Sequence, residues 1–445
     1  MEKNLTQGSI LKNIISFSLP FLFSYFLQTL YGMADLFIAG QYNGAEVITA
    51  ISVGSQIMHM LTVIIVGLAA GGSILISQAV GAKDEKTASK VTGNTITLFF
   101  VLSVFLTFIL LISTKRIISL VSTPKESIEQ TFGYLQICFT GIPFVIFYNV
   151  IASMYRGIGD SKSPMIFVII ACMLNIILDY IFVGLFGMQA KGAAVATVIS
   201  QGVSVIISLI AIVKTKAFRL HKDDFKLETK ITSQILKIGL PVAFQEGFIQ
   251  ISFIVITVIA NRRGVNIAAA VGIAEKIICF LFLIPSSMLT SISAIAAQNI
   301  GAGFFDRAKK TFWTGTAIAV SIGAVFTVLF QFISPFVISL FTSQNEVVVY
   351  GTQYLRAYVI DCIIAAIHFC FSGYFTAMGK SLISFIHNSI SIVTFRIPGA
   401  WLASKFWPEN LFPMGLAAPC GSLLSVIICF SVLCYMQRKK FTSRT

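Results

Sequence analysis

Two aspartates, an asparagine and a threonine are the residues of this 445-residue sequence best suited to holding a small cation. Asp35 and Asp179 stand in long apolar runs, with Asn175 four residues ahead of Asp179 and Thr197 in the next apolar run. An ionised side chain in hydrocarbon costs at least about 2.5–3.5 kcal/mol on insertion scales, so each such group must be paired or put to use. Carboxylate, amide and hydroxyl oxygens are the ligands that Na⁺ or H₃O⁺ accepts, and an apolar setting favours the neutral acid, which readies a carboxyl for proton exchange. The plainer alternative is a static polar network that holds helices together.

Depth along the helices brings these residues into one layer. Asp35 lies five residues before Gly40 and Asp179 five before Gly184, each glycine closing an apolar run, while Thr197 lies five after Gly192, which opens one. At a rise of about 1.5 Å per residue, all three sit about 7–8 Å inside the same face. Asn175 shares the helix face of Asp179, one turn deeper. Pro20 precedes Asp35 in its segment and removes a backbone hydrogen bond there, which gives the first helix a place to bend.

The elements that carry these residues are membrane helices. Hydrophobic residues make up 56% of the chain and charged ones 11%, with a mean hydropathy of +0.88, far from the balance of soluble domains. Each half holds six apolar segments, running from Ile14–Ala39 to Gly415–Tyr435, that are long enough to cross about 30 Å of hydrocarbon as helices. The fold class predicted is therefore an all-α polytopic membrane protein with 12 transmembrane helices.

The halves are copies. Ser18-Leu19-Pro20 recurs as Gly239-Leu240-Pro241, Ser77-Gln78-Ala79-Val80-Gly81-Ala82 as Ala297-Gln298-Asn299-Ile300-Gly301-Ala302, and Tyr134-Leu135-Gln136 as Tyr354-Leu355-Arg356, all at an offset of 220 or 221. The expected division is an N-lobe over residues 1–213, a polar cytoplasmic linker over 214–237 and a C-lobe over 238–445, as two pseudo-symmetric six-helix bundles. Duplicated membrane chains characteristically bind their cargo between the copies. The acidic layer is absent from the second copy, where Asp35 corresponds to Ile256 and Asp179 falls at or beside Gly399. The second half has its own charges: Glu246, Glu275, Lys276, Arg356, Asp361 and Arg396. Glu246 either faces the cavity between the lobes and attracts cationic cargo or pairs with Arg396 or Arg356; for Asp361 and Glu275 pairing is the favoured expectation.

Charge sets the orientation. Of the 32 Lys and Arg, 22 fall at the termini and in the even-numbered loops, seven in the odd-numbered loops and three within spans, which places both termini in the cytoplasm. The net charge of +14 then reflects topology and contact with anionic lipids, with no call for nucleic acid. The eight cysteines form no C-x-x-C pair and read as small hydrophobes. The segment Gly373–Ser381 ends like a phosphate-binding loop, but five residues separate its glycines instead of four and a membrane helix precedes it. The four histidines show no His-Glu-x-x-His spacing, and no Ser-His-Asp arrangement stands out. The chain is therefore not expected to be an enzyme, and without an ATP site uphill transport must draw on an ion gradient.

Leu19-Pro20, Tyr31-Gly32-Met33-Ala34-Asp35, Gln78-Ala79-Val80-Gly81-Ala82-Lys83, Arg156-Gly157-Ile158-Gly159-Asp160, Leu174-Asn175-Ile176-Ile177-Leu178-Asp179 and Gly192-Ala193-Ala194-Val195-Ala196-Thr197 together resemble the multidrug and toxic compound extrusion (MATE) family, over about Ile10 to Lys440. The resemblance implies a monomeric efflux antiporter of the cell membrane that exports amphiphilic, often cationic drugs by alternating access in exchange for H⁺ or Na⁺, with no other cofactor. It places the cation site at Asp35, Asn175, Asp179 and Thr197, with Asp35 and Asp179 ligating the metal if Na⁺ is used. It matches Pro20 to the proline proposed to bend the first helix, and Tyr134 and Asn149 to cavity-lining positions. Glu246 and Asp361 do not fall in the register of the branch with acids on the seventh and tenth spans, which favours coupling through the first lobe. The alternative reading is a flippase for lipid-linked saccharides of the same superfamily, which would be expected to line its cavity with several Arg and Lys, whereas only Lys276, Arg356 and Arg396 are available.

Overall fold

The computed structural model describes residues 4–121, 123–215, 218 and 220–442. Among them the chain is helical without strands. The first half holds α1 (Ile10–Tyr42), α2 (Ala45–Gly81), α3 (Glu85–Leu120), α4 (Ile128–Thr140), α5 (Ile142–Gly157), α6 (Lys162–Asp179) and α7 (Gln189–Thr215). The second holds α8 (Thr229–Asn261), α9 (Val265–Leu281), α10 (Leu283–Gly301), α11 (Phe305–Ser339), α12 (Asn345–Tyr358), α13 (Asp361–Ala377), α14 (Ser381–Ser391), α15 (Ile397–Phe406) and α16 (Phe412–Thr442).

Among the described residues, nine helical stretches are long and apolar enough to cross a bilayer by themselves, and two more spans are bent pairs, α4 with α5 at 50° and α12 with α13 at 42°. The twelfth span is α14 and α15 joined by a π-helical turn, Ile392–Arg396; a matching turn, Tyr180–Leu185, follows α6. The architecture is thus the expected one of twelve membrane helices.

Several helices expose apolar stripes. On α3, Phe105, Phe108 and Ile112 are 59, 66 and 67% exposed, and on α11 their repeat partners Val325, Val328 and Phe332 are 65, 61 and 76% exposed. Such apolar stripes at helical spacing suit hydrocarbon, where they need no cover. The duplication extends to backbone conformation. Gly159 and Gly379 both take positive φ, as do Lys83 and Gly303, each pair 220 residues apart at the end of a helix.

The chain divides into two compact units. The first comprises residues 1–6, 19–243 and 301–303, and the second 7–18, 244–300 and 304–445. This departs from the division expected at 213 and 238: the leading residues of α1 belong with the second unit, while the linker and the start of α8 belong with the first. The crossings at 18/19 and 243/244 fall two residues from Pro20 and Pro241, inside helices that both prolines leave continuous.

In the first unit, small residues let backbones approach. A Cβ on Gly157 of α5 would meet Ile76 Cγ2 of α2 at 2.9 Å. On the same interface Ser77 Oγ donates to the Gly157 carbonyl at 3.1 Å and Ser153 Oγ to that of Ala69 at 3.0 Å. Asp160 accepts from the Lys162 and Ser163 amides at 2.9 and 3.1 Å, satisfying orphan donors where α6 begins. Asp84 does the same for α3, and the Thr87 hydroxyl and amide hold its carboxyl below the usual range.

The polar linker is fastened to α3. Asn94 donates to the Asp224 carbonyl at 3.2 Å and accepts from the Glu228 amide at 2.7 Å, Thr97 donates to the Phe225 carbonyl at 2.8 Å, and Lys90 pairs with Glu228 at 2.6 Å. Lys216, Ala217 and Arg219 of the linker lie outside the described residues.

Candidate functional site

Three helices of the first unit each present a polar stripe to one place. From α1 come Gln28, Tyr31 and Asp35, from α6 Cys172, Asn175 and Asp179, and from α7 Thr197, Ser200, Gln201 and Ser204, all at spacings of three or four residues that keep them on one face. With Tyr148 of α5, Val168 and Ala171, the inner members of these stripes line a small cleft. Asp35 stands one turn past Tyr31, and Asp179 one turn past Asn175, so the acids lie beyond two of its polar walls.

The structure brings the two acids together. Their carboxyl groups face each other within hydrogen-bonding reach, with Asp35 3% and Asp179 0% exposed. Asp35 Oδ1, both Asp179 oxygens, both polar atoms of Asn175, Thr197 Oγ1, Ser200 Oγ and Gln201 Oε1 are buried without a hydrogen-bond partner. No Lys or Arg forms an ion pair with either acid among the described residues. Two carboxylates this close and this deeply buried repel unless a cation lies with them. The unfilled donor set of carboxylate, amide and hydroxyl oxygen fits a proton or a hard monovalent ion; no group of three His, Cys, Asp or Glu able to hold a metal occurs among the described residues.

All four residues expected at the cation site, Asp35, Asn175, Asp179 and Thr197, therefore sit on the three facing stripes. Sequence reasoning missed Ser200 and Gln201, although their spacing of three and four from Thr197 would have found them. It also left Tyr31 without a role; its hydroxyl faces Gln201. Tyr134, 2% exposed, packs its ring on Gly54 of α2, shares a hydrogen bond with Ser55 at 3.1 Å and stands in electrostatic range of Asp35 and Tyr31. Asn149 is buried on α5, donating to the Val145 carbonyl at 2.8 Å. Neither is on the wall of the cleft.

In the second unit Glu246 is half-buried on α8, five residues past Pro241, and no ion pair involves it among the described residues. Glu275 and Asp361, expected to be paired, lie in electrostatic range of Arg396 without an ion-pair contact.

A duplicated set of membrane helices that buries a cluster of unpartnered polar oxygens in one copy has the architecture of a polytopic membrane transporter. The sequence model of the MatE family matches residues 20–181 and 241–402, one match per repeat, and the chain belongs to that family. The chain is similar to the probable multidrug resistance protein YoeA of Bacillus subtilis (strain 168), 26% identical with 99% of this chain and 96% of that protein covered. It is also similar to the probable multidrug resistance protein YpnP of the same organism, 29% identical over 90% and 91%. Its fold matches that of a multidrug resistance MATE family transporter of the MOP superfamily solved in an outward-facing conformation, with a TM-score of 0.91 and 22% identity over 99% of this chain and 98% of the other.

Proposed function

We propose that this protein is a cell-membrane antiporter that exports amphiphilic, cationic small molecules in exchange for a monovalent cation, H⁺ or Na⁺, with exchange at the Asp35–Asp179 pair. The observation that carries the reading is the buried, facing pair of carboxyls, which makes no ion pair with Lys or Arg among the described residues, beside a polar cleft lined by Asn175 and Thr197. Multidrug resistance relatives over nearly the whole chain support the cargo class.

Coupling follows if cation and drug bind the two conformations of the transporter with opposite preference; without differential binding no ligand moves the equilibrium. A cation at Asp35 and Asp179 ties α1 to α6, and its departure leaves two facing negative charges that push these helices apart. Pro20, two residues from the point where α1 passes from one unit to the other, serves as the hinge.

The test is drug efflux and counter-ion flux in proteoliposomes. Asp35→Asn should cut coupled flux at least tenfold with the protein still folded, and undiminished antiport would overturn the assignment.

A further inference from the structure

In the second unit two acids with buried, unpartnered oxygens, Glu275 and Asp361, stand near a guanidinium. Glu275 on α9 accepts a hydrogen bond from Thr257 at 3.2 Å, and Asp361, 2% exposed at the start of α13, is served by the Ser422 hydroxyl. Arg396, the last residue of the π-helical turn, stands in electrostatic range of both. Its Nη2 donates to the Tyr358 hydroxyl at 2.7 Å, and its guanidinium lies 4.4 Å from the ring centre of Phe253 and 5.9 Å from that of Tyr358. Tyr354, Tyr358, His368 and Cys279 are further titratable groups facing it, while Lys276, beside Glu275, is exposed. Glu275 Oε1, Asp361 Oδ1 and Arg396 Nε are buried without hydrogen-bond partners.

We propose that Arg396 is the resident cation of the second unit, a positioning residue that takes for Glu275 and Asp361 the part an exchangeable ion takes for Asp35 and Asp179, and so confines ion exchange to the first unit. A guanidinium stays charged at any physiological pH and is covalently held, so it can neither leave nor be replaced by the ion on either side of the membrane. Ring stacking and the tyrosine hydrogen bond hold it in place. The inference rests on the exchange reading of the first unit.

The test counts ions bound per chain by the purified full-length protein, by calorimetric titration with NaCl and, separately, by proton uptake on acidification of an unbuffered sample. Arg396→Gln should bind one ion more than the parent, and Arg396→Lys the same number as the parent. Glu275→Gln, with Arg396 intact, should leave the count unchanged. Asp35→Asn should lose the parent's ion, and the Asp35→Asn, Arg396→Gln double variant should keep the additional one. No additional ion in a monodisperse Arg396→Gln protein overturns the proposal. So does a lower count in Glu275→Gln, a result available even where Arg396→Gln fails to fold. Retention of the parent's ion in Asp35→Asn instead overturns the reading of the first unit, whatever Arg396 does.

Discussion

At the scale of single residues, the site works through what its atoms lack. Asn175 has both side-chain polar atoms buried and unpaired, an arrangement that costs free energy unless a ligand completes it. A hydrogen bond or ion–dipole contact to a charged partner is worth about 1.5–3 kcal/mol. Asn175→Ala should therefore weaken cation affinity about 10- to 100-fold, read as a shift in the ion concentration for half-maximal efflux. The two acids were legible in the sequence because burial of charge in hydrocarbon is so costly that any such residue stands out. Ser200 and Gln201 were not, since a serine and a glutamine in an apolar run carry no comparable cost; only their register with Thr197 distinguishes them. Tyr134 and Asn149 were carried over from family likeness alone, and both make hydrogen bonds within the first unit.

At the scale of elements, each unit interrupts its fifth span with a π-helical turn, and each turn adjoins an ionisable residue: Asp179 just before Tyr180–Leu185, Arg396 at the end of Ile392–Arg396. A single wide turn re-aims the side chains around it and recurs at functional positions. Nothing in the apolar pattern announces it, because hydropathy is indifferent to whether a turn has 3.6 residues or more. The start of α6, by contrast, was open to reading: Asp160 followed by Ser161, Lys162 and Ser163 is a helix-opening pattern. Replacing Asp160 by Ala removes acceptors from the Lys162 and Ser163 amides and should destabilise the protein by about 1 kcal/mol. Thermal unfolding in detergent should show a lowered midpoint with transport per folded molecule preserved.

At the scale of the whole molecule, the sequence revealed two copies and twelve spans because duplication and hydrophobic length survive in composition. It did not reveal where one unit ends and the next begins. The expected break followed polarity, at residues 214–237, whereas the units exchange chain inside the apolar helices α1 and α8, beside Pro20 and Pro241. Contacts decide membership, and a polar segment can be bound as firmly as an apolar one. The identity of the counter-ion belongs to this scale too, since both H⁺ and Na⁺ suit the oxygen set of Asp35, Asn175, Asp179 and Thr197. Imposing each gradient separately across proteoliposomes should drive efflux with one ion, and the Asp35→Asn protein should lose the response to that gradient.

The attachment of residues 224–228 to α3 through Asn94, Thr97 and Lys90 bears on how the gene can be cut. A peptide bond severed upstream of His221 leaves the downstream piece still clasped, by its own leading residues, to the upstream one. Halves made as separate polypeptides should therefore associate through the clasp on α3, and co-purification of the two pieces checks it.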